Sequence, residues 1–333
     1  MSRDVPITLA CWDYDRTRAL EDGSVPVAGV DLTYLRLPVE ETFFRMLRYR
    51  EFDAAEMSLS SYVTALAAAP DDPPFVAIPV FPSRAFRHSG IYVNADSGIT
   101  EPGDLAGRVV GVPEYQLTAC VWIRGILADH HGVPVSSVHY RTGGMHTPGR
   151  TEKQALDLPP EIDVQAIAAD RTLADMLVTG EIDALYAPRT PRPLLEGRPE
   201  VRRLFRDPRA AEERYAADTG LFPIMHVVVL RPDVHARWPW LARSLYDAFV
   251  RAKAVVEARL EETAANPTLL PWAQDDLARV RRLLGPDHWS YGLEPNRAVL
   301  DVFLRYAHEQ GLTAARLVAD DLFVSSTREG GVI

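Results

Sequence analysis

Only two cysteines, Cys11 and Cys120, occur in 333 residues, too few for a disulfide-built scaffold and in keeping with reduced thiols. Nowhere does the chain stay apolar for the roughly 18 residues a membrane-spanning helix needs. The opening stretch MSRDVPITLACWDYDRTRAL has no uninterrupted apolar segment and no small-residue cleavage site. No secretory signal, lipid anchor or membrane attachment is therefore expected, and the expected location is the cytoplasm. An excess of positive charge is missing too, since 36 Lys and Arg stand against 46 Asp and Glu, a balance of −10. That excludes a nucleic-acid partner, whose phosphates require a basic footprint. GxGxxG and Walker-type loops, HExxH and paired CxxC are all absent, so no nucleotide cofactor and no metal is expected. A divalent cation on Glu56, Glu114 or His88 is the one metal arrangement left open. His130 and His131 are neighbours on a helix and point apart, which suits them to the helix dipole better than to a shared ligand.

With 47% apolar and 25% charged residues, the chain is long enough to bury two cores. Short β-type runs alternate with helical periodicity. Ile7–Trp12 and the alternating Val30–Leu37 read as strands, and Phe43, Phe44, Leu47 and Phe52 recur at helical spacing after Pro38. A strand ends near Met57, followed by a helix that Ser58 or Ser60 caps. Phe75–Phe81 and Ser89–Asn94 are further strands. After Gly103 the pattern repeats, with the strand GRVVGV, the helix LTACVWIRGILADHHG closed by Gly132, and the strand VHYRTGG. RTLADMLVTGEIDALYAPR reads as helix, turn at Gly180, and strand. Thr142–Pro160 is a long Gly- and Pro-rich loop, and loops of such length are usually functional or disordered. Leu221–Leu230 is a second long β-run, and a helical tail extends from about Val234 to Ala315.

Strands alternating with helices imply parallel α/β sheets. Two long β-runs flanking a central α/β segment resemble the type-2 periplasmic binding protein fold. The expectation is two α/β lobes joined by two crossing strands, with a helical C-terminal segment: residues 1–92 and 228–333 form one lobe, and 93–227 the other. In open α/β sheets ligands lie beyond the carboxyl ends of strands. Those positions hold Trp12, Asp13, Tyr14 and Asp15; Glu56 and Ser58–Ser61; Arg84, Arg87 and His88; Glu114, Tyr115 and Thr118; and Arg141, Arg189 and His226. Six basic groups in an acidic chain point to a small anionic ligand, because arginine grips carboxylates with a bidentate fork. The competing reading is that about half of them pair with Asp13, Asp15, Glu56 and Glu114 inside their own lobes.

RHSGIYVN, GVPEYQLTACVWIRGIL, PGRTEK, TLADMLVTGEIDALYAPR and the late DDLF resemble, in order, the 4,5-dihydroxyphthalate decarboxylase family. The resemblance implies a binding-protein fold used as a cytosolic carboxy-lyase on a hydroxylated aromatic acid, with no cofactor. The partner implied is a small aromatic carboxylate, and a homo-oligomer is left open. The alternatives are a non-catalytic aromatic-acid sensor and another lyase, such as a dehydratase, on the same fold.

Losing CO₂ from an aromatic ring requires protonation of the carboxyl-bearing carbon while a hydroxyl pushes electrons into the ring. His88 is the leading proton donor and His226 the second. Arg84, Arg87, Arg141 and Arg189 are the expected carboxylate clamps, and Arg150 is a loop charge that reaches the ligand or stays solvated. Glu114 and Asp13 accept the phenol proton or orient an arginine. Tyr115 and Trp12 stack on the ring or belong to the core. Ser60 and Thr118 complete the expected substrate contacts.

Overall fold

The computed structural model describes residues 4–328. In chain order the strands are β1 (Val5–Cys11), β2 (Val30–Arg36), β3 (Ala54–Ser58), β4 (Val76–Ile78), β5 (Ile91–Asn94) and β6 (Val109–Val112). They continue with β7 (His139–Thr142), β8 (Val164–Ala166), β9 (Ala184–Tyr186), β10 (Val201–Arg203) and β11 (His226–Leu230). Two sheets result, one ordered β2-β1-β3-β11-β4 and the other β10-β5-β9-β6-β7-β8.

The first compact unit comprises 4–84, 219–301 and 317–328 of the described residues. Its sheet is parallel through β2, β1 and β3, and β11 runs antiparallel between β3 and β4. All five residues of β3 are buried, as expected of a central strand covered on both faces. The next helix, Leu59–Ala68, starts where Ser58 accepts the Ser61 N–H, the predicted serine cap.

The second unit comprises 85–218 and 302–316. Here β6, β7, β8 and β9 run parallel and β5 runs antiparallel between β9 and β10. Helix Thr118–His131 closes on Gly132 with φ 66°, the left-handed cap that glycine adopts without strain. Its Trp122 is fully buried and packs against Phe303 and Tyr306, each at 5.6 Å between ring centroids. Gly125 lies against the same Tyr306 ring, where an added Cβ would fall 2.2 Å from a ring carbon. A second apolar cluster joins Tyr92, Leu173, Leu177, Ile182, Leu185 and Val201.

This division corrects the expected 1–92 with 228–333 against 93–227. The changeovers come after Arg84 and after Asp218, earlier than expected, and Val302–Arg316 belongs with the second unit. The reasons are local: β5 pairs with β9 and β10, and Phe303 and Tyr306 pack on Trp122. Strands β8 and β10, of three residues each, carry too little periodicity to be read from sequence.

Candidate functional site

In the first unit three strands converge on one buried carboxylate. His226 stands opposite Ser58, and Val228 opposite Glu56, across the antiparallel β11–β3 pair. Alternate residues share a face, so His226 and Glu56 are diagonal neighbours on the same side of the sheet. On the other flank of β3, Ala10 is level with Ala55, which carries Cys11 and Trp12 past Glu56.

The side chains complete the arrangement. Glu56 Oε1 lies 2.6 Å from His226 Nδ1 and accepts the Tyr14 hydroxyl, also at 2.6 Å. Its Oε2 accepts the Trp12 N–H at 3.0 Å and the Cys11 thiol at 3.4 Å. Burial alone would raise the Glu56 carboxyl. The charge and Nδ1–H of His226, the Tyr14 hydroxyl and the Trp12 N–H outweigh it and hold the group below its ordinary range. Burial, reinforced by the charge of Glu56, pushes the Tyr14 phenol and the Cys11 thiol up, so both remain protonated donors. A ring nitrogen facing an ionised carboxylate carries the hydrogen, so Nδ1 donates and Nε2 is left without a partner among the described residues. The His226 ring stands edge-on to Phe43 at 4.9 Å. Arg16, which sequence reasoning passed over, spans the Tyr14 and Trp289 rings at 4.1 and 4.2 Å. Its Nε donates to the Pro82 carbonyl at 2.7 Å.

In the second unit Glu114 follows β6 and is buried. Arg150 Nε and Nη2 donate to its Oε1 at 2.8 and 2.5 Å. Lys153 Nζ donates to both oxygens, at 2.7 and 2.9 Å. Arg150, expected as a loop charge of uncertain reach, thus comes down onto a buried acid. Lys153 was missed, although one signal marked it: of 36 Lys and Arg, only Lys153 and Lys253 are lysine.

Several expected roles are corrected. His88 is 3% exposed, wedged beside Phe205 and Tyr215 at 5.2 and 5.4 Å. Burial first, then the neighbouring His131 and His130, pushes it down to about 4, so it is neutral near pH 7 and ill-suited to donate a proton. Arg84 is buried and donates to the Phe222 and Ser290 carbonyls at 3.0 and 2.8 Å, and to Asn296 Oδ1. It is an internal brace of the first unit rather than a clamp. Arg141 donates to the Tyr140 carbonyl at 2.8 Å and to Asp163 at 3.3 Å. Asp13 is held by Arg18 and Arg36, each at 3.0 Å, which leaves it poorly placed to take a phenol proton. Glu114 is likewise occupied, by Arg150 and Lys153. Tyr115 is fully buried, its hydroxyl donating to the Gln310 carbonyl at 3.1 Å and its ring 3.8 Å from the Arg124 guanidinium. It is core, not a stacking surface.

The remaining positions are placed as follows. Arg87 is half-buried, its guanidinium pushed down by burial. Arg189 is exposed after β9. Ser60 and Thr118 are buried in the first turns of their helices. Trp12 is 41% exposed, with its backbone on Glu56. Among the described residues, no group of three or more His, Cys, Asp or Glu is arranged to hold a metal ion, and no helix is long and apolar enough to cross a membrane.

No family model matches the chain. It is 43% identical over 323 residues to 4,5-dihydroxyphthalate decarboxylase from Comamonas testosteroni, covering 97% of both chains. It is 45% identical over 212 residues to the protein of the same name from Pseudomonas putida, covering 63% of this chain and 81% of that one. Among solved structures it is similar to the periplasmic aliphatic sulphonate binding protein SsuA from Escherichia coli. That likeness has a TM-score of 0.55 at 12% identity, over 98% of this chain and 94% of that one. The alkanesulfonate-binding protein SsuA from Xanthomonas axonopodis pv. citri matches with a TM-score of 0.55 at 11% identity, over 97% and 99%. At these identities the structural likenesses establish the periplasmic-binding-protein-like fold alone.

Proposed function

This chain belongs to the 4,5-dihydroxyphthalate decarboxylase family, and we propose that it removes one carboxylate from 4,5-dihydroxyphthalate with His226 as the proton donor. The observation that carries the assignment is the Glu56–His226 pair at 2.6 Å. An ionised carboxylate holds Nδ1–H, and Nε2 is the nitrogen available to the substrate.

In this substrate each carboxylate has a hydroxyl para to it. Electron density from that hydroxyl enters the ring as Nε2–H delivers its proton to the carboxyl-bearing carbon. The ring is then a protonated dienone, its oxygen keeping the hydroxyl proton, in which that carbon bears both hydrogen and carboxylate. Cleavage of the carbon–carboxyl bond returns its electron pair to the ring, restores aromaticity and releases CO₂. Hydrogen has replaced CO₂, and His226 regains its proton from solvent. Glu56 stabilises the imidazolium before transfer and fixes the tautomer afterwards, while Tyr14 and the Trp12 N–H hold Glu56 in place. A general acid of this kind supplies roughly 10²- to 10⁴-fold, and positioning contributes the rest.

A cytoplasmic location and cofactor independence belong to the same proposal. The test is incubation of chelator-treated protein with 4,5-dihydroxyphthalate, following product and CO₂ by mass spectrometry. Equimolar 3,4-dihydroxybenzoate and CO₂ at an unchanged rate after chelation are expected. No turnover by folded protein refutes the assignment, and turnover restored only by added metal refutes cofactor independence.

A further inference from the structure

The loop between β7 and β8 brings two cations onto one carboxylate. Glu114 is 1% exposed at the side chain, Lys153 is 11% exposed and Arg150 is 33% exposed. Their contacts use two N–H groups of each cation. A guanidinium has five N–H groups and an ammonium three. Three on Arg150 and one on Lys153 therefore have no partner among the described residues.

Glu152, which lies between the two cations in sequence, does not pair with the second charge. Glu152 turns its carboxylate to the Tyr115 N–H and the Gln116 side-chain amide and makes no ion pair with Arg150 or Lys153. A cation withdrawn from water without a matching anion is costly unless one arrives from outside. The surroundings favour an anion as well. Glu114 lies at the carboxyl end of β6 within the parallel strands of this sheet, the edge at which open α/β sheets take their ligands. The following helix, Thr118–His131, has Leu117 at its start and no side-chain cap, so its first-turn N–H groups add positive potential.

We infer that Arg150 and Lys153, steadied by Glu114, form a carboxylate-binding site of the second unit that accepts aromatic dicarboxylates. The loop is then a recognition element, with Glu114 setting the spacing of two cations as the second charge waits for a ligand. The inference rests on the decarboxylase proposal only for which acid is the physiological occupant. That occupant is either the substrate's own carboxylate or a separate aromatic acid of the same chemistry.

Calorimetric titration of the intact protein with phthalate, which lacks the hydroxyls needed for turnover, tests the site directly. Lys153→Met and Arg150→Gln should each raise the phthalate Kd by about ten- to a hundredfold, the loss of a charge-assisted bond pair, and Lys153→Arg should restore most of it. A parallel rise in KM for 4,5-dihydroxyphthalate assigns the site to the substrate's carboxylate. An unchanged KM with a raised phthalate Kd assigns it to a separate acid. Phthalate binding by a parent that shows no turnover would keep the site and remove the decarboxylase reading. The inference is overturned if the parent does not bind phthalate, or if folded Arg150→Gln protein, altered at the more exposed cation, binds it within twofold of the parent.

Discussion

Replacing His88 separates a structural histidine from a catalytic one. Its ring is buried between Phe205 and Tyr215, and its Nδ1 has no hydrogen-bond partner among the described residues. Burial, with His131 and His130 adding repulsion, brings its pKa down to about 4 from an ordinary 6.5. A base with a depressed folded pKa is protonated more readily in the unfolded chain. Its contribution is therefore complete above pH 6.5 and is lost as pH falls toward 4. At 1.36 kcal/mol per pKa unit, the ceiling is about 3 kcal/mol, of which about 2 kcal/mol is lost between pH 7 and pH 5. Other histidines, including His131, His235 and His288, are also held down by burial, so the parent's acid sensitivity is a sum. The difference between parent and variant isolates His88. Urea unfolding of the parent and His88→Phe at pH 7, 6 and 5 should show the variant losing about 2 kcal/mol less over that interval. Phenylalanine fills the aromatic slot, and any packing cost moves the baseline without changing the pH slope. Decarboxylation by His88→Phe should persist near the parental rate. Identical pH slopes would refute the burial argument, and abolished turnover by folded variant would return His88 to the proton-donor role.

Three further outcomes follow from the same contacts. His226→Gln should lower kcat by roughly 10²- to 10⁴-fold in steady-state assays, and a loss of less than tenfold would place the proton donor elsewhere. Arg84→Met should cost at least about 2 kcal/mol in chemical denaturation, because two carbonyls and Asn296 Oδ1 lose their donor; phthalate affinity should stay unchanged, and a large affinity loss in stable protein would restore Arg84 as a clamp. Gly125→Ala should destabilise by about 1–3 kcal/mol through collision with the Tyr306 ring, measured by the urea midpoint at constant slope, and an unshifted midpoint would show that the ring yields freely.

Local signals carried much of the architecture. Strand-to-helix alternation implied parallel sheets, Ser58 marked a helix start, and Gly132 marked a helix end. Reading strand ends placed Trp12, Glu56 and His226 among the candidates, yet only Trp12 directly follows a strand's carboxyl end, while Glu56 lies within β3 and His226 opens the antiparallel β11. Which candidates meet is a long-range matter. Glu56 and His226 are 170 positions apart, and only the β3–β11 register sets them diagonal on one face. The basic residues before β5 show the other side of this. Arg84 finds partners 138, 206 and 212 positions away, and His88 finds an aromatic slot formed with Phe205 and Tyr215. A cation or imidazole at a strand end looks the same in sequence whether its neighbours are carbonyls, aromatic rings or an empty edge. Burial and partner geometry decide among them, and these exist only once the sheets have assembled.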